Sequence, residues 1–425
     1  MSGAKPTGLV RRNEHTEKEW PVPQSPDHLG IDLMDGAFYG REPHDAYAWM
    51  RANAPVYYDE PNDLWAAASY AAVKAVSIDT ETFSSAQGIR PKFPQLPMMI
   101  DFDAPEHVRR RRLVSEGFTP KRVRAMEDNL RSVCDSLIDT VCEKGSCDFV
   151  KDIAAPLPII VIGDMLGVAP TDRDDLLRWS DDMLKAQGSP DPELMVGAAN
   201  AFVEYTNYIN PVFEDRRSKG STDDLVGVLC HAAIDGDSLD DDSLIHETLL
   251  ILIGGDETSR HVISGGMEEL IAHPDQMKHL ADNPDLMTGA VEEMLRWVTP
   301  IKNMARTATR DTELEGAAIS EGQEIILLYP SANRDDTVFE NPDSFDILRS
   351  PNPHIAFGFG AHFCLGNQLA RLELKVMIER LLARLPDLHL TIERDALPRR
   401  EANFISGIEE MPVAFTPSAP VGAGI

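Results

Sequence analysis

Apolar positions along this chain recur mostly every three to four residues, the spacing of an amphipathic helix. EPHDAYAWMRANAP reads as an early helix stopped by Pro55, and the alternating APVYYD and LWAAAS read as short strands after it. The stretch SSAQGIRPKFPQLPMMIDFDAPEH carries four prolines and no period. It is expected to be a long loop of the kind that often serves as a functional lid. EHVRRRRLVSEGF resumes a helix, and helical spacing runs on through 121–145, 150–167, 171–187 and 191–218.

The longest pattern starts near Ser238, a plausible N-cap followed by Asp240, Asp241 and Asp242 in the first turn, where the helix dipole favours anions. Its apolar face continues through LIHETLLILIGG to about Ile271 and stops before Pro274, which makes a helix about 50 Å long. Another helix is expected over 285–297, strands around 303–329, and a last long helix over about 366–384. The fold class predicted is mainly α with minor β. One domain over 21–417 is expected, flanked by a disordered segment at 1–20 and a flexible tail at 418–425.

Composition narrows the function. A formal net charge of −30 argues against nucleic-acid binding, which needs a positive footprint on phosphates. The five cysteines form no regular framework, so a reducing, cytoplasmic setting is expected. No apolar run approaches the roughly 20 residues of a membrane span, so integral membrane association is not expected.

Candidate chemistry gathers at Cys364. The run Phe357-Gly358-Phe359-Gly360-Ala361-His362-Phe363-Cys364-Leu365-Gly366 leads directly into NQLARLELKVMIERLLARL. Two glycines permit a tight loop, and the helix start favours a thiolate at Cys364. A lone cysteine ahead of a helix is usually structural, but the glycines and aromatics at these offsets make that reading a poor one here. A second motif, Gly254-Gly255-Asp256-Glu257-Thr258, places an acid and an alcohol in the middle of an otherwise apolar helix. A kinked polar turn would be the bland alternative. Glu293 and Arg296 share a helix face, a spacing with little weight on its own.

Together these segments resemble the cytochrome P450 family, over about residues 25 to 417. The resemblance implies a single-domain fold with haem b between the long central helix and the helix after the Cys loop. It implies Cys364 as the thiolate ligand of iron, with Phe357, Gly358 and Gly366 in the haem loop, and a thiolate there favours O–O cleavage. Thr258 would hydrogen-bond dioxygen in a groove of the central helix, and Glu257 would help relay protons. His107, Arg111, Arg306 and His362 match the partners of the haem propionates. Glu293, Arg296 and, more loosely, Arg349 match a structural ion-pair cluster. Arg109, Arg110, Arg112, Lys121 and Arg122 form the densest basic cluster of an acidic chain. They are expected to dock the electron donor, with NAD(P)H supplying electrons through a ferredoxin reductase and ferredoxin.

The substrate pocket is expected to involve Ile89, Leu96, Met98, Met99, Leu250, Ile253, Gly254, Ile301, Phe404 and Ile405, an apolar set suited to a large hydrophobic molecule. Several of these are as consistent with plain core. GIRPKFPQLPMMIDFDAPEH, LLILIGGDETSRH and NFISGIEEMPVAFTP further resemble the actinobacterial enzymes that hydroxylate the side-chain terminus of cholesterol and cholest-4-en-3-one. The predicted reaction is that hydroxylation, continued through aldehyde to acid or not. A fatty acid or terpenoid is the alternative substrate. A non-catalytic haem sensor or carrier is the alternative class, and a peroxide-driven enzyme fits poorly with Glu257-Thr258.

Overall fold

The computed structural model describes residues 23–186, 191–220, 224–233 and 236–422. The segment 1–20, expected to be disordered, lies outside the described residues. Helices dominate, and one large apolar core joins the central helix to those around it.

The central helix runs Asp241–Ala272, 32 residues. Its N-cap is Asp240, whose side chain accepts from the Ser243 N–H at 2.8 Å, so the cap falls two residues beyond the expected Ser238. An aspartate within reach of that N–H outcompetes the earlier serine, and Asp241 and Asp242 sit in the first turn. Nearly the whole length is buried, because the helices Pro156–Leu166, Arg173–Lys185, Met287–Val298 and Asn367–Arg384 all pack on it. The last of these, hereafter the proximal helix, begins three residues after Cys364.

Strands form a five-stranded sheet in the order Val56–Asp59, Leu64–Ala67, Glu324–Leu327, Ala305–Ala308, Phe83–Ser84. Only the pairing of Leu64–Ala67 with Glu324–Leu327 is parallel. Ala305–Ala308 carries Arg306, and the Ile89 carbonyl accepts from the Ala305 N–H at 2.7 Å, so the long loop is anchored to the sheet where it starts. A second sheet of three very short strands, Ser146–Asp148, Pro412–Ala414 and His389–Leu390, has no counterpart in the sequence pattern.

The described part of the expected flexible tail is tied down. Val421 and Gly422 donate their N–H groups to the two oxygens of Asp139, each at 3.0 Å, and Arg384 at the end of the proximal helix binds the same carboxylate. No described helix is long and apolar enough to cross a membrane.

Candidate functional site

A cavity opens between the central and proximal helices, enclosing 1430 Å³ of empty space when its open mouth is included. Its floor is the Cys loop. Gly358 and Gly360 both have φ near +70°, and a Cβ on Gly360 would lie 2.4 Å from the Ser77 carbonyl oxygen. No L side chain fits there, so the loop can be this tight only with glycine. The Cys364 N–H donates to the Phe357 carbonyl at 2.9 Å, closing the loop beneath the thiol. Burial pushes the Cys364 thiol up, opposed by the Gly366 and Asn367 N–H groups and by Arg111 and Arg371. Those four groups would favour the thiolate as a ligand. Arg371 braces the loop, stacking on the Phe357 ring at 4.5 Å and pairing with Glu292 at 2.6 Å.

On the wall facing the sheet, His107, Arg111, Arg306 and His362 all line the cavity. Their origins are far apart in sequence: the helix Glu106–Ser115, the strand Ala305–Ala308 and the Cys loop. The His107 and His362 rings lie 4.1 Å apart. Burial and the surrounding cations, Arg306 foremost, push His362 down to about 2, so it is a neutral donor or acceptor. Arg306 is almost fully buried, and the one hydrogen bond of its guanidinium among the described residues goes to the carbonyl of the preceding Ala305. A buried guanidinium without a carboxylate partner is costly. Facing a cavity, it calls for an anionic ligand.

The roof is the central helix. Gly254 has nothing within 4 Å of where its Cβ would be, which leaves the cavity open at that turn. Gly255 instead faces Ile162 of the helix Pro156–Leu166. Thr258 lines the cavity and donates its hydroxyl to the Gly254 carbonyl at 2.8 Å. The structure turns Glu257 away from the lining. Its carboxylate is fully buried and accepts from Arg260 at 2.6 Å and from Arg400 at 2.8 Å, with His261 Nε2 at 3.4 Å. Arg400 also reaches Asp181 and Glu409, so this network runs out to partly exposed carboxylates. Asp256 is fully buried beside it, its carboxyl pushed well above the usual range by burial and then by Glu257.

Of the residues expected in the substrate pocket, Met99, Leu250, Gly254 and Ile301, with Ile100 of the same expected loop, line the cavity, joined by Phe118, Ile251 and Met304. Ile89, Leu96, Met98, Ile253, Phe404 and Ile405 do not line it. Ile405 forms an isolated bridge with Ile301, and the Phe404 carbonyl accepts from the Lys302 N–H, so these two brace the wall from behind. Ile253 and Met98 point into core.

Glu293, Arg296 and Arg349 do come together. Arg296 forms two 2.8 Å bonds to Glu293, and Arg349 Nε lies 3.1 Å from the same carboxylate. The basic cluster is less unified than its sequence suggests. Arg110 turns inward to Glu106 and Glu247, and Arg109 pairs with Glu106 and Asp237. Arg112 and Lys121 are exposed and Arg122 is half-buried.

The Cytochrome P450 family model matches residues 52–400. The chain belongs to the cytochrome P450 family. It is 54% identical over 401 residues to a steroid C26-monooxygenase of Mycobacterium tuberculosis, covering 94% of this chain and all of that one. A steroid C26-monooxygenase of Rhodococcus jostii is 35% identical, over 91% of this chain and 85% of its own. Among solved structures, a P450 of Novosphingobium aromaticivorans superposes with a TM-score of 0.84 at 29% identity, over 93% of this chain and all of that one. A P450 of Bacillus megaterium in complex with testosterone gives 0.82 at 31% identity, over 89% of this chain and 98% of its own. This P450 has the haem-thiolate chemistry of its family, and its cavity fits that group. A thiol on a tight glycine loop faces one side, and a buried, unpaired Arg306 with Arg111 supplies cations at the edge.

Proposed function

We propose that this P450 monooxygenase hydroxylates the terminal carbon of a steroid side chain, with cholesterol or cholest-4-en-3-one as substrate. The observation that carries the reading is the 54% identity to a steroid C26-monooxygenase along nearly the whole chain. The apolar wall of Met99, Ile100, Leu250, Ile251 and Ile301 supports it, since such a surface holds a fused-ring lipid by burial rather than by hydrogen bonds.

Haem b, ligated by Cys364 and held at its propionates by His107, Arg111, Arg306 and His362, would supply the oxidising iron that transfers one atom of dioxygen to a C–H bond. The chain's own residues do the rest. The apolar wall excludes water and orients the side chain toward the floor. Thr258 presents a hydroxyl on the open turn of the helix, where it can donate or accept a proton. Glu257, next along the helix, would be the acid of the proton relay, with Arg400 linking it to the partly exposed Asp181 and Glu409. Electrons would come from NAD(P)H through a reductase and a ferredoxin in the cytoplasm. Arg112, Lys121 and Arg122 are the part of the basic cluster positioned to meet an acidic donor.

Titration of the haem-loaded protein with a panel of sterols, fatty acids and terpenoids tests this. A saturable low- to high-spin shift with cholest-4-en-3-one, and product oxidised at the side-chain terminus, is the expected result. No sterol response beside a shift with a fatty acid or terpenoid would replace the steroid by that class.

A further inference from the structure

Glu247 is a fully buried acid that neither the haem site nor the proton network uses. It lies on the central helix just ahead of Leu250 and Ile251, which line the cavity. Its Oε1 accepts from the Met99 N–H at 2.8 Å and from Arg110 at 3.1 Å. Met99 opens a single turn of 3-10 helix, Met99–Asp101, so its N–H has no partner within that turn, and Glu247 supplies one from 148 residues away. Arg110 also donates to the Pro97 carbonyl at 2.9 Å and to Glu106 at 2.6 Å, and its guanidinium stacks on Phe102 at 4.6 Å. One carboxylate thus joins the central helix, the proline-rich loop that brings Met99 and Ile100 to the cavity, and the helix that brings His107 and Arg111.

We propose that Glu247 is a positioning residue for substrate, a latch that holds the Met99–Ile100 segment of the loop against the central helix and so sets the height of the apolar wall. The inference rests on reading the cavity as a steroid site only for its choice of ligand. A polar latch under an apolar wall makes physical sense here. The loop carries four prolines and meets the sheet only near its start, at Ile89, so at Met99 a side chain supplies the acceptor that no strand offers. The charged groups facing Glu247 are Arg110 and Glu106, both from the helix Glu106–Ser115, while the loop faces it with the Met99 N–H. Burial, only partly offset by Arg110, pushes its carboxyl up to about 7. The latch is therefore ionised and closed above neutrality, and it loses the ion pair with Arg110 as the pH falls through about 7.

The test compares wild-type holoenzyme with Glu247→Gln. Steroid dissociation constants are read from the spin shift between pH 6 and 8, alongside turnover at saturating steroid and hydrogen exchange of the Met99 amide. Loss of a charge-assisted bond is expected to raise the steroid dissociation constant about tenfold at the alkaline end and to abolish its rise toward low pH. Maximal turnover should stay within about twofold, because binding and not chemistry is affected. The Met99 amide should exchange faster in E247Q and, in wild type, faster below neutrality after correction for the intrinsic rate. If E247Q does not retain haem, Arg110→Gln takes its place with one difference, that without the cation the pH transition should move upward rather than vanish, and the wild-type exchange profile stands without any variant. Unchanged affinity and Met99 exchange in a folded variant would overturn the latch. So would a pH dependence that survives in E247Q, which would belong to another group such as Glu373 of the proximal helix, a cavity-lining acid that burial pushes up to about 7. Absence of any steroid shift in wild type would remove the steroid reading alone, since Met99 exchange reports on the latch without it.

Discussion

Arg400 reaches across 143 residues of sequence to place a guanidinium nitrogen 2.8 Å from the Glu257 carboxylate. The acid of the central helix is thus held by the C-terminal segment and by Arg260 of its own helix, away from the cavity lining.

That arrangement separates binding from proton supply. Glu257→Gln should leave the steroid spin shift in place and lower the rate of product formation about 10²-fold, the usual range for losing a general acid or base. Arg400→Gln, which unties the same carboxylate from the C-terminal segment, should lower that rate in the same direction and leave the spin shift in place. Equal rates for wild type and E257Q under steady-state turnover would remove Glu257 from the mechanism.

Arg296 makes a sharper structural prediction. Both it and Glu293 are completely buried, and its guanidinium also donates to the carbonyls of Asn333, Pro342 and Ser344. A lysine has three donors on a point charge and cannot reproduce that fork. Arg296→Lys keeps the charge but strands part of that fork's partners, and should cost about 1.5–3 kcal/mol, the range for a lost bond to a charged group. A denaturant midpoint indistinguishable from wild type would show that the cluster carries far less than its geometry implies.

Gly360→Ala should damage the Cys loop without touching Cys364. Its φ of +74° and the Ser77 carbonyl 2.4 Å from the would-be Cβ leave the loop no route but displacement. Strain of about 1–3 kcal/mol from φ alone adds to the clash. The expected phenotype is weakened haem retention and loss of the thiolate-type CO absorption band, the same band that Cys364→Ala abolishes outright. Full haem content with a normal band in G360A would mean that the helix Tyr70–Ile78, which carries Ser77, yields instead.

What the sequence made legible was local. The Cys loop, the Gly254-to-Thr258 turn and the Glu293–Arg296 pair each sit within ten residues, so spacing and residue type were enough to find them. Leu250 and Ile301, next to those motifs, and Met99, in the proline-rich loop, were also within reach of pattern reading as apolar residues. Phe404 and Ile405 look the same in sequence, yet they support Ile301 from behind, a difference that depends on which face of an irregular segment meets the cavity. Arg400 and Glu247 gave no sign, because a buried charge acquires its partner through tertiary packing and neither has a neighbour in sequence that hints at it. The three-stranded sheet of Ser146–Asp148, Pro412–Ala414 and His389–Leu390 is built from strands too short to show alternation. Inward pairing of Arg110 was hidden for the same reason as Glu247: each is the other's partner.

The carboxylate of Asp139 bears on protein engineering. Two amides from Val421 and Gly422 and the guanidinium of Arg384 converge on it, which splices the end of the chain to the far end of the helix that starts at the Cys loop. A boundary cut at residue 417 would remove both amides and leave Arg384 alone on that carboxylate, so an electron-transfer domain fused there would have no tie to the helix. Joined after Gly422, the same domain would inherit a fixed anchor point and a defined direction of departure.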